Sequence, residues 1–316
     1  MKEIMTVRGW QNPLSLGFCQ PHEHLMISSG ISSTLYPALC IDDIDKSVEE
    51  VLSYKKAGGK TIIDAQPGGC NRVEGALLEI SEKTNIHIIA STGFHKHIFY
   101  PKTHWIFHAS LETLKDFFIH ELTIGMYTDI NQNLTDAYLP IRAGQIKAAL
   151  DTEGLTPVYQ KCFHAAAQAA VICDVPFMVH IEQGSVPLNL LDKLLAWNVP
   201  ANRIIFCHLD RKIMPLSYYT DVLEQGIALE FDTIGRFKYH SDEEEATLIM
   251  KLLDLGFENQ LLISLDTTRE RLRSYNRAGI GLDYLFTSFL SLLRQHGVTK
   301  QQIKKITQDN IIRIFT

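Results

Sequence analysis

The sequence predicts a single (β/α)8 barrel of the TIM type, an α/β fold occupying residues 1–316 as one domain. Three observations predict it. Eight short apolar runs alternate with longer stretches of helical period, as in a parallel sheet covered on both faces. No Pro-rich linker, low-complexity tract or long charge run divides the chain. Ligand-type side chains fall at or near the C-terminal ends of several apolar runs, the end at which barrel active sites are built.

In chain order the apolar runs are SLGFCQ, KTIIDA, IHIIAST, GQIKAAL, PFMVHI, RIIFCH, IALEFD and LLISLD. Each is nearly continuous in Ile, Val, Leu or Phe. The amphipathic segments between them are IDKSVEEVLSYKKAG, NRVEGALLEISEKT, PVYQKCFHAAAQAAVICD, LNLLDKLLAWN, DEEEATLIMKLLDLG and LDYLFTSFLSLLRQHG. Several close near a Gly or Asn, a normal helix stop. An open doubly wound sheet is the alternative. It would carry a Gly-rich turn after its first strand, where this chain has Pro21-His22-Glu23-His24. Residues 94–140 read as a long loop insertion rich in His and aromatic side chains, in the position of a lid or binding loop.

Composition narrows the function. A formal net charge of −6 opposes a nucleic-acid surface, which needs clustered excess Lys and Arg. A local pocket on an acidic protein can still be basic. The six cysteines include no C-x-x-C pair, so no disulfide framework is expected. MKEIMTVRGWQNP has no apolar stretch of the secretory type, and no apolar run approaches the roughly 20 residues of a membrane span. The expected compartment is the cytoplasm, with no membrane partner.

The chemistry is expected at the barrel mouth. His22 and His24 end the first strand, and the period of two puts both rings on one face. Lys147 lies at the fourth strand, His180 and His208 at the ends of the fifth and sixth, and Asp266 at the eighth. A lone strand-end His is usually a hydrogen-bonded core residue. Four His, a Lys and an Asp converging from five strands require a common cause. Imidazoles with a carboxylate suit Zn²⁺ first, with Mn²⁺, Co²⁺ or Ni²⁺ as alternatives.

The ordered motifs LGFCQPHEHL, GGKTIIDA, STGFHK, AGQIKAA, MVHIEQG, FCHLDR, FDTIG, LISLDTTR and QDNIIRIF resemble the phosphotriesterase-like family of the amidohydrolase superfamily over nearly the whole chain. The resemblance implies a binuclear metal-dependent hydrolase. His22, His24 and Asp266 would hold the more buried cation, and His180 and His208 the more exposed one. Lys147, carboxylated by CO2 to a carbamate, would bridge them. A charged ammonium beside two dications is strongly disfavoured, whereas a neutral amine can take up CO2. Ala148 stands where some relatives place a bridging Glu, so Lys147 has no substitute. The expected reaction is hydrolysis of an ester by metal-activated hydroxide, with Asp266 accepting the proton.

Substrate class is read from the loops. HIEQG with HLDR, FKY and DTTR resembles the branch that opens phosphorylated sugar lactones. FDTIG and RQHG resemble the phosphotriesterase-homology proteins. His95, next to Phe94 where relatives carry a tyrosine over the metals, is a candidate substrate contact. Lys238, Arg269 and Arg273 are candidates to grip a remote anion. The expected partner is a small-molecule ester or lactone, with an anionic one favoured by these cations. A phosphate or phosphonate ester is the alternative substrate. Outside the class stand a non-catalytic sugar-phosphate or metal-binding barrel, a nuclease and a one-metal deaminase. A homodimer stays open.

Overall fold

The computed structural model describes residues 2–316. Its eight barrel strands are β1 (Cys19–Glu23), β2 (Thr61–Asp64), β3 (His87–Gly93), β4 (Gln145–Leu150), β5 (Phe177–Ile181), β6 (Ile204–Cys207), β7 (Ala228–Phe231) and β8 (Leu261–Ile263). They lie side by side in chain order and every pair between neighbours is parallel. Six of them fall within the apolar runs expected to form them; β3 runs one residue past IHIIAST, and β1 shares only Cys19 and Gln20 with SLGFCQ and continues through the H-x-H pair to Glu23.

The seam between β8 and β1 is closed by side chains as much as by backbone. Asp266 N–H donates to His22 O at 3.1 Å, and Ser264 Oγ accepts from His22 N–H at 3.0 Å. Glu23, between the two histidines of the H-x-H pair, accepts from Ser264 Oγ (2.9 Å), Leu265 N (3.0 Å), Thr267 N (3.1 Å) and Thr267 Oγ1 (2.6 Å). Its carboxylate thereby bolts β1 to the segment that carries Asp266.

A helix follows each strand: α1 (Ile44–Ala57), α2 (Glu74–Thr84), α3 (Leu111–Thr123), α4 (Pro157–Cys173), α5 (Pro187–Ala196), α6 (Leu216–Leu223), α7 (Asp242–Asp254) and α8 (Leu290–Gln295), the last preceded by a π-helical turn at Leu285–Phe289. Local signals set several starts. Asp43 caps α1 by accepting from Asp45 N and Lys46 N, and Ser241 with Glu244 forms a capping box on α7; both satisfy otherwise orphaned N–H groups.

Two helices depart from expectation. The segment 94–140 is not a loop throughout, since it contains α3 and a short helix at Trp105–His108. The α3 positions Leu114, Phe117, Phe118 and Leu122 are all buried, a three-and-four spacing that packs it on the barrel. α6 has only eight residues, too few for its period to stand out from the flanking turns.

The core has two layers. Strand alternation sends Ile62, Ile88, Ile204 and Phe206 outward under the helices, and Ile63, Ile89, Ile205 and Cys207 into the barrel. Ile311, Ile314 and Phe315 of the C-terminal helix close the interior cluster. All six cysteines are free. Among the described residues no helix is long and apolar enough to cross a membrane.

Candidate metal centre and active site

The alternation that buries Ile146 and Ala148 under the helices turns Lys147 into the barrel. Lys147 is the third of six residues in β4 and 2% exposed, so it lies inside the sheet, deeper than a strand end. Its Nζ faces His22 Nε2 at 3.2 Å and Cys207 Sγ at 3.7 Å. No carboxylate within ion-pair distance partners it among the described residues. A buried, unpaired amine is costly, and it sits amid four imidazoles. Ring centroids lie 5.7 Å apart for His22–His24, 4.9 Å for His22–His208 and 4.3 Å for His180–His208. Asp266 Oδ1 faces His24 Nε2 at 3.4 Å and His22 Nε2 at 3.8 Å. All six residues expected as ligands therefore line one cavity of about 450 Å³.

Two of them reach it through left-handed backbone: His208 has φ 70° and Asp266 φ 47°. Such conformations cost about 1–3 kcal/mol each in non-glycine residues and concentrate at functional sites. Here they turn the side chain inward as the strand ends.

Carboxylates behind the rings orient them. His22 Nδ1 lies 3.0 Å from Glu230 Oε2, and His208 Nδ1 lies 2.7 Å from Asp232 Oδ1. His180 Nε2 lies 3.1 Å from Glu182 Oε2. Burial pushes His22 and His208 well below the usual imidazole range, helped by Lys147 at His22 and by Arg211 at His208. Burial takes His180 down to about 3 against the opposing pull of Glu182. The same burial pushes Glu230 up to about 8, against Lys147, and raises Asp232, where Asp210 and Glu230 add to it. Burial alone would raise Asp266 too, but Arg236 and the imidazoles hold it well below the carboxylate range. The neutral rings of His22, His180 and His208 and the ionised carboxylate of Asp266, gathered around one cavity, are donors of the kind divalent cations take. His22, His24 and Asp266 can present one atom each within 4.8 Å of one another.

The expected substrate contacts divide. His95 lines the cavity with its ring 5.5 Å from that of His180, and Lys238 lines the rim. Arg269 and Arg273 do not line it, which corrects the expectation for both. Arg269 donates to Asp42 Oδ1 at 2.7 Å and Cys40 O at 3.0 Å and packs on the Tyr275 ring, while Arg273 pairs with Asp283. Closeness in sequence to Asp266 did not carry them inward, because the short helical turn at Arg269–Arg271 ties this stretch to the loop after β1.

Their place is taken by Arg211 and Arg236, which line the cavity together with Lys96 and Glu182. Arg271 lines it as well but is tied down by the backbone, donating to Ile234 O at 2.5 Å, Asp266 O at 3.2 Å and Leu265 O. The sequence carried faint signals for the orienting groups. Glu230 and Asp232 are acids at the end of an otherwise apolar strand. Glu182 is two residues from His180, the spacing of one strand face.

The sequence model of the phosphotriesterase family matches residues 2–315. A phospho-furanose lactonase from Mycoplasmopsis agalactiae is 30% identical over 319 aligned positions, covering 98% of this chain and 90% of the relative. The crystal structure of an amidohydrolase from Mycoplasma synoviae superposes with a TM-score of 0.93 at 28% identity, covering 99% of this chain and 92% of that one. A lactonase structure from Listeria monocytogenes gives a TM-score of 0.89 at 27% identity, covering 100% and 99%.

Proposed function

This chain belongs to the phosphotriesterase family, and we propose that it is a binuclear metal-dependent lactonase that opens the ring ester of a sugar lactone carrying a phosphate. The observation that carries the reading is one cavity with two unlike walls. Its floor is the imidazole, Lys147 and Asp266 set; its rim holds Arg211, Arg236 and Lys238. Lys238 has no carboxylate partner among the described residues and lies 4.8 Å over the Tyr239 ring, leaving its ammonium available to an anion.

His22, His24 and Asp266 would hold one cation and His180 with His208 the other, Lys147 bridging as a carbamate. Zn²⁺ is the first choice for this donor set, with Mn²⁺, Co²⁺ or Ni²⁺ as alternatives. Two bound dications polarise an ester carbonyl and acidify a water molecule. The chain's own residues do the rest. Asp266, ionised and oriented by Arg236, takes the proton of the attacking water. His95 and Phe99 wall the cavity beside His180. Lys238 and Arg211 fix the remote phosphate through charge-assisted hydrogen bonds, which position the ring ester over Asp266.

The names of the relatives point the same way: phospho-furanose lactonase in two species and lactonase in a structural neighbour. The deciding experiment is a kcat/KM panel on metal-loaded protein. It would include phosphorylated lactones, the same lactones without phosphate, and phosphate esters. The phosphorylated lactones should lead. A lead by phosphate mono- or triesters would replace this reading with the phosphoesterase one.

A further inference from the structure

Behind the cavity wall, three buried side chains outside the proposed reaction face one another. Asp210 lies in the turn after β6, His240 just before α7, and Glu245 in the first turn of α7. None of them lines the cavity. One ligand-type atom from each lies within 4.8 Å of the others. Asp210 Oδ2 is occupied, accepting from Asp232 N at 2.7 Å and Thr233 N at 2.8 Å. Its Oδ1 and both oxygens of Glu245 are buried with no hydrogen-bond donor. His240 Nδ1 faces Ser241 O at 3.1 Å. A carbonyl only accepts, so Nδ1 carries the hydrogen of the neutral ring and the lone pair falls on Nε2. That nitrogen meets the rotatable Thr233 hydroxyl at 2.9 Å and lies 3.7 Å from Glu245 Oε2, beyond hydrogen-bond reach. Among the described residues no Lys or Arg comes within ion-pair distance of either carboxylate.

The cluster is rich in acceptors and almost without donors. Asp210 and Glu245 are both fully buried, and buried carboxylates without a counter-charge are costly. Two carboxylates and an imidazole lone pair are donors that Zn²⁺ or Mn²⁺ takes. We propose that Asp210, His240 and Glu245 form a metal site separate from the cavity, holding one divalent cation, with the Thr233 hydroxyl at hand as a further donor. The site has no opening to the cavity, so its ion is structural and touches no substrate. It clamps the turn after β6 and the start of α7 to the end of β7. Through Asp210, whose other oxygen holds the Asp232 N–H, it steadies the carboxylate that faces His208. The binding energy of such an ion is folding energy, and the ion enters as the chain folds. The proposal does not depend on metals in the cavity.

The test uses full-length protein expressed in zinc-supplemented medium, so that the ion is present during folding. Crystals of wild type are measured on both sides of the zinc absorption edge. The expected result is an anomalous peak among Asp210, His240 and Glu245, apart from any in the cavity. No peak there overturns the proposal whatever the cavity holds, so it and the binuclear reading fail separately. The rival occupant is a proton shared by the two carboxyl groups. A carboxylic-acid infrared band present in wild type and lost in Glu245→Gln would identify that proton and overturn the cation. Glu245→Gln should also hold one ion fewer per chain by elemental analysis, and its melting temperature should depend less on added Zn²⁺. An ion count equal to wild type would overturn the assignment of Glu245 as a ligand. If the variant does not fold, the wild-type anomalous map decides alone.

Discussion

Arg236 grips Asp266 twice: its Nη1 lies 3.2 Å from Oδ2, and its Nη2 donates to the Asp266 backbone carbonyl at 2.5 Å. The carboxylate is thus divided, with Oδ2 turned to the guanidinium and Oδ1 to His24 and His22. One oxygen is oriented for the imidazole cluster, while the guanidinium on the other helps keep the carboxylate ionised. The main-chain bond also steadies the left-handed residue that aims the side chain.

This division separates two roles in one variant. Asp266→Asn keeps an amide oxygen for weak ligation but cannot take a proton from water. Its kcat should fall by about 10²–10⁴, the range of a lost general base, while some metal remains bound. Steady-state kinetics beside elemental analysis checks this. A wild-type kcat would remove Asp266 from proton transfer.

Lys147→Ala should lose activity and weaken metal retention, since no neighbouring acid can supply a bridge: Ala148 points the other way, under the helices. Added acetate or propionate should restore part of the rate by occupying the vacated space as a carboxylate. Full activity of the variant without additives would refute the carbamate.

Lys238→Ala should raise KM for a phosphorylated lactone by roughly tenfold to a few hundredfold, the equivalent of about 1.5–3 kcal/mol for a charge-assisted bond. The unphosphorylated analogue should be nearly unaffected. Arg269→Ala should change neither, because Arg269 is committed to Asp42 and Cys40 outside the cavity. Equal effects of Lys238→Ala on both substrates would withdraw the anion subsite from Lys238.

His104 gives a pH prediction for the segment after β3. Its Nδ1 accepts from Ile106 N–H at 3.2 Å, capping the helix Trp105–His108, and its Nε2 faces Ile130 O at 3.1 Å. Burial pushes it down to about 4. The folded state therefore keeps the neutral ring, whereas the unfolded chain takes up a proton near pH 6.5. Stability from this group is present above about 6.5 and is lost as pH falls through 4, by an amount on the order of 2–3 kcal/mol. Thermal melts of metal-free protein between pH 7 and 4 should show the loss. His104→Asn, which can still cap, should flatten that part of the curve; an identical pH dependence in the variant would exclude His104 as its source.

The sequence by itself determined the barrel. Eight runs such as KTIIDA and PFMVHI read as strands covered on both faces, and Pro21-His22-Glu23-His24 stands where an open doubly wound sheet would carry its Gly-rich turn. It also determined that His22, His24, His180, His208 and Asp266 share one end, since parallel strands place all their C-terminal ends together. What only the tertiary structure decided lies beyond that period. Arg269 and Arg273 are close to Asp266 in the chain yet turn to Asp42 and Asp283, while Arg236, thirty residues earlier, reaches Asp266. Loop side chains are placed by whichever oppositely charged group the fold brings near, and spacing along the chain says nothing about that. Glu23 makes the same point from inside a motif. The alternation that aligns His22 with His24 sends the residue between them the other way, and only closure of β8 against β1 shows what it binds there.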